Sequence, residues 1–399
     1  MVASYELPLK TYGYYESPLF EGISIALCFP FGSVHESSSE AGFAHLFEHV
    51  LAKRIQRELE FRTAKLQDAE FQYSAHSYPF HTEFQVEIHA NTQDSYLILL
   101  DATCSALFDK KPIERNEIEP EIRIIDREVS LRVGSNPLSI VPWAFARSIL
   151  SINSDKRGHN SFITTNRMST DAGLDDLNRW KTNFTQNNCS IGFTAHPKYK
   201  SLVANFVAQQ NLTKIKKLHF LHQMQSRLSE FQDATLSQTL VEKSSNSIGL
   251  ETKIFPTYTH ESPSWQRAMC LLATQVIRHM ASKRMISSGF FGSFHGPDYQ
   301  IILELFQNYP VSQQLLLQNL TNEILELAQS KQLRESHQIL KNQGIATSLM
   351  ARDALFNLDH SETINALKYI KLSEVRRHIC GLQNTPGVFH YFSDKGAMI

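Results

Sequence analysis

Two domains, each combining β-strands with α-helices, are what the sequence predicts, and three observations carry this. At 399 residues the chain exceeds what one hydrophobic core usually fills and suits two domains of about 200 residues each. Its composition, 42% hydrophobic and 20% charged, is that of a globular chain. The succession of periodicities in the first half, a strand, a helix and strands again, returns in the second half and reads as a diverged duplication. The domains are placed at residues 1–212 and 213–399, joined through the polar stretch Gln209–Lys217.

A formal net charge of -1 gives no long-range field that would gather nucleic acid or an anionic membrane. Partners are therefore expected to be recognised by shape and local contacts. Met1–Lys10 carries no apolar run of signal-peptide length, and no stretch reaches the ~18 uninterrupted apolar residues of a membrane span. A cytoplasmic protein with neither nucleic acid nor a membrane as partner is expected. Cys28, Cys104, Cys189, Cys270 and Cys380 include no C-x-x-C pair and are odd in number, which predicts reduced and mostly buried thiols.

Taken in order, Gly22–Phe31 alternates and then fuses into an apolar run, a buried strand ended by Gly32-Ser33. Ser37–Ser39 forms a loop, and Ser39 or Glu40 stands where an N-cap would open a helix that runs through Leu51 toward Arg57. Phe71–Ala90 is rich in aromatics and Thr and alternates from Thr82 onward, as strands do. A helix is expected over Ser95–Phe108 with Leu97, Leu99, Leu100 and Leu107 inward, and another around Glu117–Val129. Asp171–Phe184 reads as a helix, Asn187-Asn188 as a turn and Cys189–Ala195 as a strand. The second half offers strands near Leu236–Val241, Ile248–Phe255 and Tyr299–Phe306, and helices over Ser264–Ser282 and Gln313–Leu327.

Chemistry concentrates in Gly42-Phe43-Ala44-His45-Leu46-Phe47-Glu48-His49. On a helix, His45 and His49 are four residues apart and share a face, with Glu48 beside them. Two neutral imidazoles suit a borderline-soft ion such as Zn²⁺, and a water at an open position would find its base in Glu48. The spacing H-x-x-E-H is the inverted form of the zinc-protease helix. A histidine pair on a helix also occurs as ordinary polar or surface residues, so the flanking sequence has to decide.

The flanks are Gly32-Ser33-Val34-His35-Glu36 and Glu40-Ala41-Gly42. Together with the motif they resemble the M16 family of inverted-zincin metallopeptidases, the group of pitrilysin, insulin-degrading enzyme and mitochondrial processing peptidase. There a strand ends in Gly-Ser, a Glu follows, and Gly-x-x-His-x-x-Glu-His opens the zinc helix. The resemblance implies an α+β fold of two similar M16-type α/β sandwich domains forming one half of a clamshell, the first carrying Zn²⁺ and the second no metal. It also implies that Glu128, 79 residues beyond His49, is the third ligand after His45 and His49. Glu121, two helical turns before Glu128, would orient a ligand without binding the metal. Pro120 lacks an N–H and fits a first turn best, so the helix is expected to start late or kink there. A helix this rich in Glu and Arg reads equally as a solvated face.

By the same resemblance the next strand is a sheet edge that pairs with extended peptide along residues 73–77, through Ser74, Ala75, His76 and Ser77. Its family pattern, Asn-Ala-x-Thr-x-x-Glu-x-Thr-x-Tyr, is met at Ala75, Thr82 and the aromatic Phe84, whereas Ser74 replaces Asn and Phe80 replaces Glu. The family's closing half brings an Arg and a Tyr to the peptide, which correspond here to Arg284 and to Phe290 or Phe291. Phenylalanine has no hydroxyl to donate, so a heterodimer with a homologous M16-like subunit is expected ahead of a homodimer. The activity implied is that of a zinc-dependent endopeptidase on extended or unfolded peptides, such as a dedicated enzyme removing a leader from a ribosomally made peptide. The alternative is a non-catalytic scaffold subunit of such a complex.

Overall fold

The computed structural model describes residues 12–32, 36, 40, 42–78, 81–135, 170–182, 189–210, 248–256, 261–282, 288–295, 299–307, 318–356, 358–384 and 387–392. The chain divides into two compact units, one of residues 1–218 with 340–355 and the other of residues 219–339 with 356–399. The boundary expected at residue 212, the strand expected over Leu236–Val241 and the turn at Asn187-Asn188 lie outside the described residues.

The first unit is built on a five-stranded sheet in the order β1-β5-β2-β4-β3. Its strands are β1 (Tyr12–Glu16), β2 (Ile23–Phe29), β3 (Ala69–Ser77), β4 (Thr82–Ala90) and β5 (Ser190–Ala195). β1 runs parallel to β5 and every other pairing is antiparallel. Side chains alternate across a strand, so Ile23, Ile25, Leu27 and Phe29 of β2 and Phe84, Val86 and Ile88 of β4 enter one core. α1 (Phe43–Thr63) and α2 (Gln93–Phe108) close that core with Phe43, Phe47, Val50, Leu51, Leu99, Leu100 and Leu107. The spacing of the α1 residues is that of one helical face. α3 (Arg115–Ser135), α4 (Asp171–Lys181) and α5 (Lys200–Gln209) complete the layer, adding Ile118, Ile122, Leu177 and Phe206.

The opposite face of the sheet holds Ser24, Ala26, Glu83, Gln85, Ser190 and Gly192, and α8 (Gln343–Leu355) covers it. Contact there is close. Ser190 Oγ donates to the Ala351 carbonyl at 2.7 Å, and a Cβ on Gly13 or Gly192 would run into the backbone of Met350, or of Thr347 and Ala351. Because α8 shields this side too, all seven residues of β2 are buried.

In the second unit four antiparallel strands follow the order β7-β8-β6-β9. They are β6 (Ile248–Pro256), β7 (Ser288–His295), β8 (Tyr299–Gln307) and β9 (Gly387–Phe392). Helices α6 (Pro263–Ser282), α7 (Asn322–Ile339), α9 (His360–Tyr369) and α10 (Leu372–Asn384) share a core that includes Met269, Leu272, Val276, Ile324, Leu367 and Val375. With β1 set aside, the two sheets share one order: the first strand (β2 or β6) pairs with the third (β4 or β8) and the last (β5 or β9), and the third pairs with the second (β3 or β7). Of the helix expected over Gln313–Leu327, residues 313–317 lie outside the described residues, and α7 runs from Asn322 on to Ile339; β1, α5, β7, α8, α9, α10 and β9 were not anticipated. Among the described residues no helix is long and apolar enough to cross a membrane.

Candidate metal centre

Helix α1 starts differently from the expectation. In place of a cap at Ser39 or Glu40, its N-cap is Gly42 at φ 89°, a left-handed conformation that only glycine adopts without strain. The buried Glu36 carboxylate accepts from Gly42 N at 2.9 Å and from Ala44 N at 2.8 Å. A distant carboxylate thus satisfies the orphan N–H groups and meets the positive end of the helix dipole. Local cap signals miss it because the capping side chain lies well upstream of the first turn.

With Phe43, Leu46, Phe47 and Val50 fixed in the core, His45, Glu48 and His49 are left on the half-buried side of α1. The imidazoles stand 4.9 Å apart by ring centre. From α3, Glu128 Oε2 lies 3.5 Å from both His45 Nε2 and His49 Nε2, and the three donor atoms fall within 4.8 Å of one another. Glu121, 6% exposed, reaches His49 Nδ1 at 3.0 Å. That contact holds the proton on Nδ1 and leaves Nε2 facing Glu128. α3 does not start late at Pro120: it begins at Arg115 and carries the proline inside it.

A further pair, absent from the sequence expectations, joins the two helices. Arg54 of α1 donates from Nε and Nη2 to the two oxygens of Glu117 at 2.8 and 2.7 Å, and also to the carbonyls of Lys111 and Pro112. Burial alone would raise the Glu117 carboxyl, but the Arg54 hydrogen bonds hold it below the ordinary range. Glu117 and Glu121 are one turn apart on α3, so the i, i+4 spacing was a usable signal for this clamp.

Glu48 points the other way, and its Oε2 accepts from Ser77 N at 2.9 Å at the end of β3. β3 is the sheet edge, paired among the described residues with β4 alone. Along it Ser74 and His76 are exposed and Ala75 and Ser77 half-buried. Arg284 lies outside the described residues, and Phe290 and Phe291 fall on β7.

The family described as "Insulinase (Peptidase family M16)" matches residues 17–139, the segment from before β2 through α3. A protease from Helicobacter pylori superposes with a TM-score of 0.62 at 12% identity, over 96% of this chain and 98% of that one. The fold is that of the M16 metallopeptidases. The first half of the periplasmic protease PqqL from Escherichia coli gives 0.59 at 15% identity, over 94% of this chain and 88% of that one. Against the whole of PqqL the TM-score is 0.58 at 14% identity, and 97% of this chain spans 47% of that protein. No curated protein matches by sequence. Within the M16 fold, the His45, His49 and Glu128 donor set is consistent with metal coordination.

Proposed function

We propose that this chain is the zinc-bearing subunit of an M16-type endopeptidase acting on extended peptides. One observation carries the proposal: two imidazole Nε2 atoms and Glu128 Oε2 converge beside a carboxylate, Glu48, that is turned to the end of an open sheet edge. Two histidines and a carboxylate fit Zn²⁺ with one position left open. Zinc, when bound, would polarise a peptide carbonyl and make a water easy to deprotonate at neutral pH. Glu48 takes that proton and passes it to the leaving amine. Glu121 keeps the His49 ring turned so that Nε2 serves as the ligand.

Substrate backbone pairs with β3 at residues 73–77, and Ser74, Ala75, His76 and Ser77 line it. The Ser77 N–H, engaged with Glu48 in the free protein, becomes available when a peptide enters. Two M16-like domains, at residues 1–212 and 213–399, form one half of a clamshell, and a homologous subunit supplies the other. A partner of different sequence is favoured because Phe290 and Phe291 offer no hydroxyl at the oxyanion, whereas Arg284 would bind peptide. The role is dedicated processing, with leader removal as the leading case. A cytoplasmic site of action agrees with five cysteines held as thiols, four of them buried.

The test is hydrolysis of an unfolded peptide, by the chain alone and with a homologous subunit carrying an Arg and a Tyr, each before and after chelation. Weak turnover alone, strong turnover with the partner and loss on chelation are expected. Turnover that survives complete removal of metal would overturn the peptidase mechanism, and full activity of the isolated chain would remove the partner.

A further inference from the structure

A second cluster of donors lies in the first unit, on the sheet face that α8 covers. Cys28 of β2 stands opposite Glu83 of β4 in the antiparallel register. His81 precedes Glu83 by two residues and so shares its face. One atom each from the thiol, the ring and the carboxylate lie within 4.8 Å of one another. Ligand atoms around a tetrahedral zinc sit roughly 3.5 Å apart, so only a small closure is required. All three residues are buried, Cys28 at 0%, Glu83 at 1% and His81 at 7% exposure.

Glu83 is the telling member. Its Oε1 accepts from Ser348 Oγ of α8, but its buried Oε2 has no hydrogen-bond partner among the described residues. Arg352 Nε at 3.9 Å and His81 Nε2 at 4.0 Å stand at the outer edge of ion-pair distance, and both are beyond hydrogen-bond range. A buried carboxylate oxygen left in that state is costly unless something else engages it.

We propose that Cys28, His81 and Glu83 form a second metal site, separate from the His45, His49 and Glu128 centre, for a thiophilic divalent cation such as Zn²⁺. Binding releases the Cys28 thiol proton to solvent, so a thiolate and a carboxylate balance the two positive charges. The Arg352 side chain, one-third exposed, has room to turn away from Glu83 toward water. The site ties β2 to the start of β4 just below the turn closed by Tyr78 N and the His81 carbonyl at 2.8 Å. That turn follows Ser77, the residue that engages Glu48. The metal therefore braces the hairpin on which the peptide edge is built. The site shares no residue with the proposed peptidase centre and stands whether or not the chain is a peptidase.

The probe is Co²⁺ alone, added to the metal-free full-length protein. Of the two sites only this one contains a thiol, so a thiolate-to-cobalt charge-transfer band should grow in the near ultraviolet and saturate within two equivalents, the first site taking the other. It should persist in His45→Ala and His49→Ala, vanish in Cys28→Ser, and require at least about tenfold more Co²⁺ in His81→Asn. No band in the wild-type protein overturns the proposal, as does a band that survives Cys28→Ser. Should Cys28→Ser fail to fold, His81→Asn decides: an unchanged titration there is equally fatal.

Discussion

The two units share a strand order yet differ in what their first helix does. In α1 the third, sixth and seventh residues are His45, Glu48 and His49, on the half-buried side. Counted the same way from Pro263, α6 offers Trp265, Ala268 and Met269, the last two fully in the core. The topology needs an apolar helix face over the sheet, and both helices provide one. Metal donors are an addition on the remaining face, free to be absent without loss of the fold. The proposed peptidase chemistry thus belongs to one side of one helix and to the glutamates of α3 that reach it.

Changes confined to the first unit should break that asymmetry most. Glu48→Gln removes the proposed base while leaving the three donors, so peptide hydrolysis in the assembled enzyme should fall about 10²- to 10⁴-fold with metal content unchanged. Undiminished turnover would take Glu48 out of the mechanism. His45→Ala or His49→Ala should lower the zinc content by one equivalent by elemental analysis, whereas Met269→Leu in α6 should leave it alone. Equal zinc in all three would dissolve the distinction between the units.

Acid should act on the second unit as well as on the first, where burial holds His81 well below the ordinary range. Burial pushes His378 on α10 down to about 4, so between that value and the ordinary ~6.5 the unfolded chain holds a proton that the folded chain does not. Stability is then lost as pH falls through this window, by about 2 kcal/mol at pH 5. His378→Leu should flatten the dependence. Denaturation midpoints at pH 7 and pH 5 measure it, and an unchanged slope in the variant would show that His378 is not the group responsible.

The helix starts give the smallest and sharpest contrast. α1 relies on the buried Glu36 with two N–H groups, whereas α6 relies on exposed Ser262, whose Oγ accepts from Trp265 N at 3.2 Å. Glu36→Ala should cost on the order of 2 kcal/mol because two buried donors lose their acceptor. Ser262→Ala should cost about 1 kcal/mol. Chemical denaturation of the two variants would settle the ranking, and equal losses would mean that water replaces the Glu36 carboxylate.

Legibility in the sequence followed the range of the interaction. His45, Glu48 and His49 declare themselves because a helix brings close neighbours in sequence together, whereas Glu121 and Glu128 were pointed to by the resemblance to the M16 family, and the helical period adds only that the two share a face. β2 and β4 were visible through apolar runs and alternation. The cap by Glu36 and the reach of Ser77 N to Glu48 were not, since each depends on a loop returning to a helix. α8 was invisible for another reason. Its apolar residues Ala346, Leu349, Met350 and Ala354 are buried against a sheet made far earlier in the chain. Nothing local marks such a segment as part of the first unit.

That helix has a consequence for the order in which the protein can be made. The β1–β5 sheet is complete in sequence once residue 195 has been synthesised, but the segment that covers its second face is residues 343–355. At ~5–20 residues per second, roughly 10–30 s of elongation separate residue 195 from the arrival of α8. Through that interval the nascent sheet carries its Gly13 and Gly192 tracks and the Glu83 carboxylate uncovered. A ribosome-bound chain stalled before residue 340 should therefore recruit chaperones, and release them when elongation passes residue 355.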